Sequence, residues 1–382
     1  TLKPLTQTQL QSSFHTDGKA VGDMAFLKVD GKSDVAKSTT TYHVELTDLN
    51  PTSIIAKIDA ANLQELLFMV NQKAYASADI NLNVNFKNIN PHQLDGDIKL
   101  ETLKGQLSSS VMKKDFNITI PKTAFTMNLD AKLKGDNVDY TYELNSNLAK
   151  ITSNGNVVPE PLKVALKYAV DVQELAVLKP ISGADVRGPL NLNGEVKGSK
   201  AKMDISGYSD VASSDTTFVA TLKEFVPATI KAQIKHLKLE KVLYMVKQPH
   251  FADGLFDLNV DISNADATSL KGLVTSKISK GLVDSRYMTK AYEFKSMMPY
   301  TAFNASTHTT LVKNMIDTKI DFNSNLANFD IKSAKFNTTD GSLISDYIVK
   351  VADLDKLFFA TDRHLKGGIV ANGELRKAKD LD

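Results

Sequence analysis

The sequence predicts a mainly β protein: an elongated, curved antiparallel sheet, open as a trough, built from tandem repeats and carrying short amphipathic helices. Two observations predict it. The chain repeats itself about 176 residues apart, and most of each copy alternates apolar and polar residues with a period of two. That alternation is the mark of antiparallel strands with one dry and one wet face, since parallel strands buried on both sides read as unbroken apolar runs.

The repeat is ungapped over its first half. With Gly18 placed on Gly194, Ser33-Asp34-Val35-Ala36 meets Ser209-Asp210-Val211-Ala212, Met69-Val70 meets Met245-Val246, and Lys104-Gly105 meets Lys280-Gly281. Of the 95 positions from 18 to 112, 32 are identical. Two inserted residues later, Asn145-Ser146-Asn147-Leu148-Ala149 matches Asn323-Ser324-Asn325-Leu326-Ala327. Asn193-Gly194-Glu195 recurs once more as Asn372-Gly373-Glu374. The organisation is therefore a first copy over 1–189, a second over 190–368 and the start of a third over 369–382, expected to form one continuous β structure. Tandem copies without linkers build an extended surface more readily than a single catalytic cleft.

The strands follow from the alternation. Ile80, Leu82, Val84 and Phe86 alternate with asparagines, and Phe256, Leu258, Val260 and Ile262 repeat that pattern. Phe125, Met127, Leu129 and Leu133 mark another strand, Val138 to Leu144 a third, and Val164 to Val172 a fourth. Helices are expected where leucines fall at i, i+3, i+4 and i+7: Leu63, Leu66, Leu67, Val70 and their counterparts Leu239, Val242, Leu243, Val246. Pro180 and Pro249 limit how far two such helices run. A finer module appears in which a strand ends at Leu63, Leu175, Leu239 or Leu354, a helical turn follows, and the next strand opens at Ile80, Leu190, Phe256 or Ile369.

Composition excludes several function classes. With 46 Lys plus Arg against 44 Asp plus Glu and the basic residues dispersed, there is no electrostatic footprint for nucleic acid. The absence of Cys removes disulfides, zinc-thiolate sites and thiol nucleophiles. No apolar run approaches the ~18 residues of a membrane helix, and no signal-peptide pattern opens the chain, so an anchor or targeting segment is expected outside it. Gly31-Lys32-Ser33 looks like the end of a phosphate loop, but Phe26 stands where its first Gly belongs and the second copy has Gly207-Tyr208-Ser209, so it reads as a β-turn. Asp257, Asn259 and Asp261 mimic a calcium loop, but Ile262 replaces the required Gly, so they read as a strand. The seven histidines (His15, His43, His92, His236, His250, His308, His364) lack metal-ligand spacing and meet other residues in the opposite copy. Lys99, Lys132, Lys134, Lys163 and Lys167 belong to the wet face, serving solubility or steering anionic headgroups. No catalytic residues, cofactor or metal are expected, and the protein is read as not an enzyme.

The succession of strand, Leu-x-x-Leu turn and a strand of the type Leu190-Asn-Leu-Asn-Gly194-Glu-Val196-Lys-Gly198 resembles the AsmA/TamB superfamily of bacterial envelope proteins. That resemblance implies a long curved sheet with a greasy concave face, anchored in the inner membrane from the periplasm, assisting phospholipid transport between inner and outer membranes or outer-membrane assembly. Its partners would be phospholipid acyl chains and the two membranes through regions outside this segment. The residues expected to line the lipid groove are Ile80, Leu82, Val84, Phe125, Met127, Phe256, Leu258, Val260 and Phe303. The alternative reading is a secreted or surface adhesion protein of repeated β-sandwich units with closed cores.

Overall fold

The structure, a computed structural model, describes residues 11–90, 93–179, 183–266 and 268–377. Pro180, His92 and the end of the third copy lie outside the described residues. The described residues are 60% strand and 13% helix, and their 21 strands belong to one antiparallel sheet that does not close. Two compact units divide the chain, one of residues 1–184 with 195–199, the other of 185–194 with 200–382.

In the first unit the strands run as a meander, each paired with the next in sequence: β1 (Thr16–Gly22), β2 (Phe26–Ser33), β3 (Thr39–Thr47), β4 (Asn50–Asn62), β5 (Ala76–Asn88), β6 (Asp95–Leu107), β7 (Ala124–Lys134), β8 (Asn137–Ser146), β9 (Ala149–Val158) and β10 (Lys163–Val172). After β11 (Leu190–Ser199), the second unit repeats the pattern from β12 (Met203–Ser209) and β13 (Asp215–Lys223) through β14 (Val226–Lys238), β15 (Ala252–Asn264), β16 (Lys271–Val283), β17 (Ala302–Val312), β18 (Met315–Ser324), β19 (Asn328–Asn337), β20 (Leu343–Val351) and β21 (Ile369–Lys377).

Equal sequences give equal irregularities. The β4–β5 register breaks between Ile58 and Ala61, and β14–β15 breaks between the equivalent Ile234 and Leu237. Each break is a bulge carried by a left-handed residue, Ala60 at φ 55° and His236 at φ 56°. Its freed backbone N–H is taken up by the next strand: Ala60 donates to Asn81 Oδ1 at 2.9 Å and His236 to Asp257 Oδ1 at 2.8 Å. A further pair of breaks, at Thr102/Gly105 and Ile278/Gly281, places Phe125 and Phe303 over glycines. A Cβ on Gly105 or Gly281 would come within 2.7 Å of that ring. Only glycine leaves space for the ring to lie flat across the neighbouring strand.

Helices α1 (Leu63–Met69) and α3 (Leu239–Met245) form where the leucine stripes predict them, following directly on strands β4 and β14. In α1, Asn62 caps the N-terminus by accepting from the Glu65 N–H. Leu66 and Met69 then pack with Ala36, Ile58, Ala61 and Ile80. The stripe differs from the expected one at its end: Val70 and Val246 close their helices and stay exposed, and Met69 is buried instead of Val70, while Leu243 is buried as expected. Helices α2 (Ser109–Phe116) and α4 (Ser285–Ala291) were not expected; their caps are the equivalent Ser108 and Asp284. A four-residue α5 (Phe358–Thr361) follows a 3-10 turn at Leu354–Leu357, as the module pattern predicts for Leu354. Two strands open four residues earlier than expected, at Ala76 and Ala252. Gly31-Lys32-Ser33 lies within strand β2 and not in a turn: Gly31 pairs with Tyr42, whose ring occupies the space a Cβ would need.

Candidate functional site: one apolar face and two equivalent polar clefts

Opposed residues of an antiparallel pair share a face. The pairings therefore connect Thr40, Ile58, Leu82, Leu100, Leu129, Tyr142, Ser153 and Tyr168 in one row across strands β3 to β10. The row through Val84 carries Ala56, Ile98, Ala131 and Tyr140 beside it. In the second unit the row through Leu258 runs from Ile234 through Ser276 and Thr307 to Ile320 and Ile331. Its hydroxyls pair, Ser276 with Thr307 at 2.7 Å, and in the row through Val260 and Val274 Thr309 pairs with Thr318 at 3.0 Å.

This apolar face is only partly covered. Ile80, Leu82, Val84, Phe125, Met127, Phe256, Leu258 and Val260 are all half-buried. Phe303 departs from the expectation of an open lining residue: it is buried, stacked on Phe322 at 5.6 Å and lying over Gly281. The whole chain exposes 23393 Å². A globule of this length exposes about 15,000 Å², and two separate globules of half the length about 18,000 Å² together.

Two equivalent clefts lie on the opposite, polar face, and none of the nine expected lining residues borders them. One cleft of about 570 Å³ in the first unit is lined by Asn81, Asn83, Lys99, Glu101, Asn128, Asp130, Thr141, Glu143, Thr152 and Asn154, with intervening residues 100, 129, 142 and 153. Another of about 960 Å³ in the second unit includes the equivalent of every one of these fourteen positions, from Asp257 to Lys332, and adds Ile348 and Lys350. The same hollow is thus built twice. A smaller, more apolar hollow of about 370 Å³ lies beside α3, between Pro189, Val211, Ala212, Tyr244 and Met245. Sequence reasoning missed the polar clefts, although aligning the wet-face residues of the two copies holds their signal.

Electrostatics on the wet face are those of paired surface charges. In β2–β3 the Asp30 carboxylate, 2.6 Å from His43 Nδ1, holds that imidazole's pKa above its ordinary value against the opposing pull of desolvation, with Glu45 adding to the rise. Lys28 and His43 together keep Glu45 below the usual carboxylate range. Lys73, 2.6 Å from Asp115 of α2, lowers that carboxyl. Of the wet-face lysines, Lys99 lies 3.5 Å from Asp130 and Lys167 4.0 Å from Glu195. Asp257, Asn259 and Asp261 sit on strand β15, as their alternation predicts. His15, His250 and His364 each meet a nearby aspartate. Among the described residues no three His, Asp or Glu side chains are placed to hold a metal ion. No helix among them is long and apolar enough to cross a membrane.

Neither a known protein family, nor a curated protein, nor a solved structure matches this chain.

Proposed function

We propose that the chain binds acyl chains on the apolar face of its sheet, as a periplasmic segment of an AsmA/TamB-like protein that assists phospholipid transport between the inner and outer membranes. Under this reading it performs no chemistry, and its membrane anchor lies outside the segment. The observation that carries the reading is that, within each unit, half-buried apolar side chains line one sheet face around Leu82 and around Leu258, with no second sheet among the described residues to cover them. Desolvation favours such a role, since each methylene leaving water contributes about 0.8 kcal/mol, so a chain of ~16 carbons gains on the order of 10 kcal/mol before the cost of ordering it. A row of equivalent positions has no single deep minimum, which suits a sliding ligand better than a fixed one.

The adhesin alternative depends on closed sandwich cores, which the unclosed single sheet does not favour. Native mass spectrometry of the purified chain, with lipid extraction, tests the proposal. Bound phospholipid at defined stoichiometry is expected; a chain that carries none, and takes none up from detergent-solubilised lipid, refutes it.

A further inference from the structure

The two equivalent polar clefts carry opposite charge. The first has one lysine against three carboxylates, net −2, and the second four lysines against three aspartates, net +1. At matched positions Glu101 faces Lys277, Asp130 faces His308, Thr141 faces Lys319 and Asn154 faces Lys332. Three other matched positions move the opposite way, Asn81 to Asp257, Lys99 to Thr275 and Thr152 to Asp330, so the second cleft's excess positive charge comes from Lys350, which the first cleft's lining does not match.

The pairing within the clefts strengthens the contrast. In the first, Lys99 is matched by Asp130, Glu101 accepts from Asn81 Nδ2 at 3.1 Å, and Glu143 lies 3.0 Å from Lys150. In the second, the aspartates are already engaged: Asp257 with the His236 N–H, Asp321 with the Asn323 amide, and Asp330 with Lys350 at 3.9 Å. Among the described residues the Nζ atoms of Lys277, Lys319 and Lys332 have no carboxylate oxygen within 4.0 Å, although the Lys332 backbone N–H donates to Asp346 Oδ1 at 2.7 Å. They stand on strands β16, β18 and β19, with neighbouring strands about 5 Å apart, and line one hollow together with His308 of β17. Like charges held around a concavity focus a field that only a counter-charge relieves.

We infer that the second unit's polar cleft binds phosphate-bearing anions and that the first unit's does not. Phosphate fits because it offers several acceptor oxygens to donors that act as point charges. A 960 Å³ hollow also has room for more than one phosphoryl group. The inference does not depend on acyl-chain binding, since it concerns the opposite face of the sheet.

The test exchanges the two clefts. Lys277→Glu, Lys319→Thr and Lys332→Asn install residues that the first copy already carries at the same positions, and thermal unfolding checks that the variant folds. Calorimetric titration of the full chain with tripolyphosphate at low salt, and sedimentation with phosphatidylglycerol against phosphatidylcholine vesicles, give the readouts. Wild type is expected to bind one site per chain, and the triple variant to weaken by about tenfold or more. The reverse set, Glu101→Lys, Thr141→Lys and Asn154→Lys, should raise the stoichiometry to two. Binding of vesicles without tripolyphosphate identifies a lipid headgroup as the source, and the opposite result a soluble phosphate. A wild type that binds neither, a triple variant that binds equally, or a reverse variant that stays at one site overturns the inference.

Discussion

Replacing Thr102 with Val should stabilise the first unit, and the size of the gain follows from its surroundings. Thr102 is 2% exposed, and its hydroxyl has no hydrogen-bond partner among the described residues. It stands on the apolar face between Ile80 and Met127, where the second copy has Ile278. A buried hydroxyl left unsatisfied costs about 1–3 kcal/mol. Valine keeps the shape, removes that cost and adds a buried methyl worth about 0.8 kcal/mol. For a unit of this size each kcal/mol raises the midpoint by roughly 2–4 °C, so the combined gain of about 2–4 kcal/mol should raise it by about 4–15 °C. Circular dichroism melts and urea titrations measure it, and because the chain has two units, only the transition belonging to the first should move. An unchanged or lowered midpoint would show that the hydroxyl is satisfied, and that the row through Ile80 is not dry.

Three other outcomes are expected. Gly281→Ala should destabilise the second unit by about 1–3 kcal/mol, because the new Cβ meets the Phe303 ring and carbonyl; an unaltered denaturation midpoint contradicts it. Asn81→Ala removes the acceptor for the bulge N–H of Ala60 and should cost about 0.5–1.5 kcal/mol, with faster amide exchange at Ala60. His43, raised by Asp30, should titrate by NMR above the ordinary 6.5. Its contribution is full below that value and is lost as pH rises through the raised one, so Asp30→Asn should bring the midpoint down, and a midpoint already at 6.5 in wild type excludes the pair.

The alternation of Ile80, Leu82 and Val84 with asparagines was enough to place strands and faces, because a period of two is local information. Leu63 and Leu239 marked their helices for the same reason. Helices α2 and α4 escaped because Ser109–Phe116 and Ser285–Ala291 carry no strong stripe; they are set by the caps Ser108 and Asp284, whose shared offset was the available clue. The burial of Phe303 depends on Gly281 of the neighbouring strand and on Phe322 of the next, contacts that require register. The polar clefts were hidden likewise, since a hollow spanning β5 to β9 gathers residues more than seventy positions apart.

The claim that the apolar face is an open acyl-chain surface is tested most directly by Leu82→Asp and Leu258→Asp, read by thermal unfolding beside photocrosslinking to lipid. Both leucines are half-buried, so a carboxylate there reaches water, whereas in a closed core an unpaired one costs several kcal/mol. The account predicts that both variants fold and that each loses crosslinked lipid relative to wild type. Unfolding of both variants, with no lipid recovered from the wild-type chain, would contradict it.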